Sequence, residues 1–336
     1  MKKIQKTAVG AALFILILCA ASSACKKEEG SKEGAKKEEG KKKVAFIART
    51  QNDSFAAWLA NAMKEEAAKT GTVTVDVMDG QDSDEKINSF IENSISNRYA
   101  VIIAQPQNTE AQKPAAEAAV KANIPFITVN LRIPGMETVS HSVDASPYEQ
   151  GAVNARYALD LIPQGARVVI LNGPADHPHS NFRREAWQKE FLDKRPDVTV
   201  LAENYANWKK DEAMRLMEDW VQTHGQNGKI DAVLSMNDNM ASGAIEAVKG
   251  NAQYADMLVF GVDGTAEAAL LIQEGKMTST SFQNAYLLAE TSMKIVGDIV
   301  AGNDRGFVNI DIECPLITKE NVQFLIDTHK RAGALQ

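Results

Sequence analysis

Several short apolar runs in this chain break off on polar or aromatic side chains. VAFIA (44–48) is followed by Arg49, Asp53 and Phe55, and FITV (126–129) by Asn130. VVIL (168–171) is followed by His177, His179 and Arg183, and the next apolar stretch by Trp208. AVLSM (232–236) stops on Asn237, LVFGV (258–262) on Asp263, and a polar-alternating run ends at Gln283. The set has one chemical sense. Aspartate accepts hydrogen bonds, arginine donates them, and asparagine and glutamine do both. Charged partners shorten and strengthen such bonds. A ring bearing many hydroxyls needs this mixture, and its flat C–H faces suit an aromatic ring on either side. Phe55 and Trp208, from different halves of the chain, could supply that pair.

Other chemistries fit less well. His177 and His179 have metal-like spacing, but no third or fourth ligand stands nearby in the sequence, and no metal or cofactor is expected. Asp53 and Asp263 could form an acid/base pair. However, no GxSxG, P-loop lysine or GxGxxG follows any of the apolar runs, so an enzyme is the remote reading. Cys314 lies in a strand-like apolar segment and reads as a small core residue rather than a catalytic thiol. Arg49 is equally a ligand, a contact between domains or a surface charge, and Gln105 is a weaker candidate. Asp238 and Asn239 read as helix caps. Trp58, Trp187 and Trp220 read as packing residues.

These end groups must be positioned by strands and helices in alternation. Apolar strands are expected at Val44–Ala48, Val73–Met78, Ala100–Ala104 and Phe126–Val129. Helices should lie between them near Ser54–Lys69, Asp84–Ser96 and Glu110–Ala122, capped by Asp82-Ser83 and Thr109. The second half repeats the rhythm. Its strands fall at Val168–Leu171, Val198–Ala202, Ala232–Met236 and Leu258–Val262. Its helices fall near Asn181–Asp193, Lys209–His224, Met240–Val248 and Ala266–Gln273. Such alternation implies an α/β chain of two Rossmann-like lobes, each a parallel sheet flanked by helices. Further elements follow: a strand at Met277–Phe282, a helix at Ala285–Ala301, a strand at Val308–Cys314 and a helix at Lys319–Ala332. They suggest a hinge of several crossings, near Val143–Ser146, Gln283–Asn284 and Ile310–Glu313. The expected lobes are 43–144 plus 284–311, and 145–283 plus 312–336. In a parallel sheet ligands gather at the carboxyl ends of the strands, so the polar groups above should face one cleft.

The first residues are of another kind. Residues 1–24 have the layout of a secretory signal: Lys2, Lys3 and Lys6, an apolar run, then Ser22-Ser23-Ala24 before Cys25. Residues 25–42 form a Lys/Glu/Gly tether in which KKEEG occurs twice, too polar to build a core. The net charge over 336 residues is −7; the three signal lysines carry +3 and residues 25–43 another +3, which leaves −13 for the body. An acidic body argues against nucleic acid as a partner. With Cys19 and Cys25 in the leader, Cys314 is the body's single cysteine, so no internal disulfide is available.

The motifs DSF (53–55), HPHSNFR (177–183), ANWKKDEA (206–213), MNDNMASGA (236–244) and FGVDG (260–264), with Asn130, resemble those of the periplasmic sugar-binding proteins of ABC transporters. Within that ribose and galactose/glucose family the pattern looks most like the galactose/glucose member, over about residues 43–317. The resemblance implies a type I periplasmic-binding-protein fold. Phe55 and Trp208 would stack on a sugar, while Asp53, Asn130, His177, Arg183, Asn237 and Asp263 bind its hydroxyls. It also implies a non-enzymatic, monomeric receptor that delivers a hexose to ABC permease subunits from the periplasm or cell surface. Residues around Cys25 resemble a lipoprotein cleavage site, so an acyl chain on Cys25 would hold the protein to membrane lipid. Three departures stand out. His179 replaces an aspartate, Gln283 is the ribose-type rather than the hexose-type residue, and the calcium loop of the galactose protein is missing. A pentose, inositol or other polyol is therefore the alternative ligand, and a chemoreceptor ligand carrier the alternative role. A lactose-repressor-type regulator would need a basic helix-turn-helix where the leader stands.

Overall fold

The computed structural model describes residues 40–303 and 306–336. The expected signal, the Cys25 anchor and nearly all of the tether lie outside those residues. In the first half the order is β1 (Lys42–Ala48), α1 (Ser54–Thr70), β2 (Val73–Asp79), α2 (Asp84–Ser96), β3 (Val101–Ala104), α3 (Thr109–Lys121), β4 (Phe126–Val129) and β5 (His141–Asp144). The chain continues with α4 (Pro147–Leu161), β6 (Arg167–Asn172), α5 (Pro178–Glu190), β7 (Thr199–Tyr205), α6 (Lys210–His224), β8 (Ala232–Ser235) and α7 (Asp238–Ala247). It closes with β9 (Leu258–Asp263), α8 (Ala266–Gln273), β10 (Ser279–Phe282), α9 (Ala285–Val300), β11 (Asn309–Asp311), β12 (Leu316–Thr318) and α10 (Val322–Arg331).

Two six-stranded sheets result, in the orders β11-β5-β4-β3-β1-β2 and β12-β10-β9-β8-β6-β7. Every pairing is parallel except β10 with β12. That antiparallel edge departs from the expected all-parallel sheets. Val44–Ala48 of β1 and Val168–Leu171 of β6 are apolar and fully buried because helices cover both faces of each sheet. In each sheet the chain builds outward to one side and then reverses. The switch falls between β1 and β3 in the first sheet and between β6 and β8 in the second. Side chains following those strands therefore stand at the two crevices where such sheets hold ligands.

The sequence reading assigned no element to residues 147–161, yet α4 runs there, packed along α5. Its buried face is Gln150, Gly151, Ala152, Asn154, Ala155 and Ala158, which carries no large apolar residue to betray the helical period. Strand β1 takes in Lys42, assigned beforehand to the tether, through its pairing with Val73. The first core also extends past the expected lobe limits to Ala145, Ile312 and Cys314. Cys314 is a free, buried thiol, as its apolar setting suggests. Helix α3 is capped by Asn108 rather than Thr109.

Candidate functional site

One cavity lies between the two sheets and brings together Arg49, Asp53, Phe55, Asn130, His177, His179, Arg183, Trp208, Asn237, Asp263 and Gln283. It spans about 400 Å³ of space counted to its open mouth. Gln105, the weaker candidate, also lines it, as does Pro106, which sequence reasoning missed. Both follow β3, at the first sheet's switch point, and a strand-end reading of that loop could have found Pro106.

On the first sheet's side, Asp53 caps α1: one carboxylate oxygen accepts from the Ala56 amide at 2.7 Å and the other pairs with Arg49. Arg49 reaches Asp82 as well, and its backbone amide donates to Gln105 Oε1 at 3.2 Å. Thus Arg49 is a buried group braced within its own lobe, not a surface charge. Burial lowers its pKa, and Asp82 opposes the shift. Phe55 sits in the first turn of α1, edge-on to Trp58 with centroids 6.0 Å apart.

On the second side, His177 caps α5, its Nδ1 accepting from the His179 amide at 3.2 Å. That contact assigns the proton to Nε2, a buried donor that makes no other hydrogen bond. Helix α5 begins at Pro178, three residues before the expected start at Asn181, so it carries His179 as well as Arg183. Burial, reinforced by the cations Arg49 and Arg183, holds His177 well below the usual histidine range. Burial and Arg183 do the same to His179, with the Asn130 backbone pulling weakly the other way. Both rings are therefore neutral and can donate and accept.

Arg183 is the cation at the centre. Its Nη1 donates to the Met236 carbonyl at 2.6 Å, its Nη2 to Gln283 Oε1 at 2.7 Å, and it faces Asp263 at 3.6 Å. Its guanidinium carbon lies 5.5 Å from the Trp208 ring centroid, and the His177 ring meets Trp208 edge-on at 5.6 Å. Trp208 is seated over Gly173: a Cβ there would come within 2.2 Å of its Cη2. Asn237 caps α7 through Met240 at 2.9 Å and donates to the Trp208 carbonyl at 3.4 Å. The cap expected at Asp238 or Asn239 therefore belongs to Asn237. Asp238 is buried instead, bound by Thr280 Oγ1 at 2.7 Å and the Thr265 amide at 2.8 Å. Asn239 meets Ser54 of α1 at 3.0 Å, a contact between lobes.

Asn130, Trp208 and Asp263 have φ of 68°, 66° and 122°, conformations that L residues seldom adopt and that recur at functional sites. Burial raises the Asp263 carboxyl, Arg183 opposes this, and Asp238 adds to it. Gln283 donates to Asn130 Oδ1 while accepting from Arg183, so it joins the two halves of the site. Among the described residues no group of His, Cys, Asp and Glu could hold a metal ion, and no helix is long and apolar enough to cross a membrane.

Paired α/β lobes with a polar and aromatic cavity between them define a bilobed binding protein. The chain belongs to the periplasmic binding protein family, whose domain model matches residues 44–304. It is 27% identical to the ribose import binding protein of Bacillus subtilis, over 90% of this chain and 94% of that one. It is 28% identical to the xylitol-binding protein of Mycolicibacterium smegmatis, over 71% of this chain and 67% of the relative. Among solved structures, an ABC transporter solute binding protein from Bacillus halodurans with bound myo-inositol superposes with a TM-score of 0.79. That likeness has 27% identity and covers 86% of this chain and 98% of the other.

Proposed function

We propose that the cavity captures one polyhydroxylated small molecule, a monosaccharide or a polyol, and that lobe closure presents it to the membrane subunits of an ABC importer. The observation that carries this reading is the convergence of Phe55, Trp208, Arg183, Asp263 and the neutral His177 on a single buried cavity fed by both sheets. Uncharged imidazoles beside an arginine–aspartate pair offer donors and acceptors to hydroxyls without demanding a charged ligand. The role is capture rather than turnover. Among the described residues lining the cavity the carboxyls are Asp53 and Asp263, and Asp53 is committed to its cap and to Arg49 rather than free to partner Asp263 in acid/base chemistry.

Within this class the aromatic pair suits a pyranose, which keeps a hexose in play. Relatives named for ribose and xylitol, and a structural neighbour holding myo-inositol, give pentoses and polyols equal standing. The likeness to the galactose/glucose member rests on motifs alone. A thermal-shift screen against glucose, galactose, ribose, xylitol and myo-inositol tests the reading. A binder at about 100 times its Kd stabilises the fold by about 2.7 kcal/mol, a melting rise of several degrees. A flat response to the whole panel would end the assignment.

The leader extends the proposal: Cys25, acylated, would tether the protein at a membrane facing the periplasm or the outside. Firm anchoring takes two signals, either two acyl chains or one chain beside a basic stretch such as the lysines of 26–43. Cys25→Ser should move the protein from the membrane to the soluble fraction after cell breakage.

A further inference from the structure

We propose that Gln150, at the start of α4, is a positioning residue that fixes Arg183 in the cavity and ties it to the first chain crossing. The inference rests on the reading of the cavity as a binding site. Gln150 is fully buried and does not line the cavity. Its Oε1 accepts from two nitrogens of Arg183, Nε at 2.8 Å and Nη2 at 2.6 Å. Its Nε2 donates to the Ala145 carbonyl at 3.0 Å, where the chain leaves the first sheet. Arg183 meanwhile reaches the second crossing through Gln283. One guanidinium is thus fastened to the crossings through two glutamine amides.

The residue type follows from the bonds. A glutamine can accept two hydrogen bonds on its oxygen and donate from its nitrogen; a glutamate accepts but cannot donate to Ala145. A glutamate would also neutralise Arg183, whose charge is otherwise turned towards Asp263 at 3.6 Å. The neutral amide holds the cation still while leaving its field for the cavity. The charged and titratable groups around Arg183 are Asp263, Asp238, Arg49 and Cys314, with His177 and His179 beside them.

The test uses the mature protein and the compound giving the largest thermal shift among glucose, galactose, ribose, xylitol and myo-inositol. Gln150→Met keeps the volume and removes the bonds; Gln150→Glu keeps the grip on Arg183 but cancels its charge. Calorimetry should show affinity at least tenfold weaker for both. Only Gln150→Glu should also displace the pH profile of binding upward, because an added anion disfavours a second one at Asp263. Two folded variants that bind within twofold of the parent, with the parent's pH profile, would reduce Gln150 to filler. Should neither variant fold, hydrogen exchange on the unaltered protein decides. Ligand must then protect residues 144–150 together with 236 and 283, and protection confined to the cavity loops overturns the proposal. An unaltered protein that ignores the whole panel removes the site reading, and this inference with it.

Discussion

Trp58 of α1 stacks on Phe282 of β10, ring centroids 6.2 Å apart and planes 16° off parallel. One ring belongs to the first sheet's lobe and the other to the second's. The same indole lies 4.8 Å from the His329 ring of α10 and 5.1 Å from Tyr286. It packs on both apolar cores. Aromatic pairs contribute about 0.5–1.5 kcal/mol beyond their buried area. Trp58→Ala should therefore loosen this arrangement of the lobes and weaken ligand affinity by about two- to twelvefold, although Trp58 is outside the cavity. Calorimetry checks the affinity and small-angle scattering the shape. An unchanged Kd would mean the stack plays no part in closure.

Asp263 offers the cavity its least engaged carboxyl, with Arg183 as the nearby charge. Asp263→Ala should cost about 1–3 kcal/mol of binding, the range for leaving a buried polar group of the ligand without its partner. Normal binding by this variant in calorimetry would move the ligand elsewhere.

Gly173 lends its missing side chain to Trp208. Since a Cβ would sit 2.2 Å from the indole, Gly173→Ala should push the ring out of its seat. We expect at least a tenfold loss of affinity and a changed tryptophan emission. Retention of both would show that Trp208 tolerates displacement and is not a fixed wall of the site.

Stability should depend on pH in a sense set by buried groups. Burial raises Asp263 to about 8, against the pull of Arg183, and raises Asp238 to about 7. In the unfolded chain aspartate titrates near about 3.9. Between those values the folded chain keeps protons that the unfolded chain has released, so stability falls as pH rises and returns as pH drops. His177 and His179 work in the opposite sense, because burial holds them well below the usual histidine range and keeps them neutral. Below about 6.5 the unfolded chain gains protons that these rings refuse. Thermal melts of ligand-free protein should thus rise from pH 9 to about 7 and then level off. Asp263→Asn should flatten the alkaline limb. A parent curve already flat from pH 7 to 9 would show these carboxyls ionised without penalty.

The strand ends were legible because covered parallel strands read as unbroken apolar runs, so Asn237 and Asp263 show up as interruptions. Helix α4 was hidden because its inner face carries Gln150 and Asn154, whose partners lie far along the chain. Asn154 donates to the Gly261 carbonyl at 2.7 Å, and Gln150 grips Arg183. Only three-dimensional proximity makes such residues interior. Strand β5, HSVD, was missed for the same reason: its polar groups are buried between β4 and β11. Helix α5 starts before the expected Asn181 because proline fits the first position of a helix, which puts His179 on it as well.

The backbone geometry at Asn130, Trp208 and Asp263 has a consequence for anyone wishing to change what this receptor takes up. Those positions combine a side-chain duty with a left-handed main chain, so most replacements there would forfeit the loop along with the contact. His179 and Gln283 stand on ordinary torsions. Libraries aimed at a new cargo should diversify these two and leave the three strained positions alone.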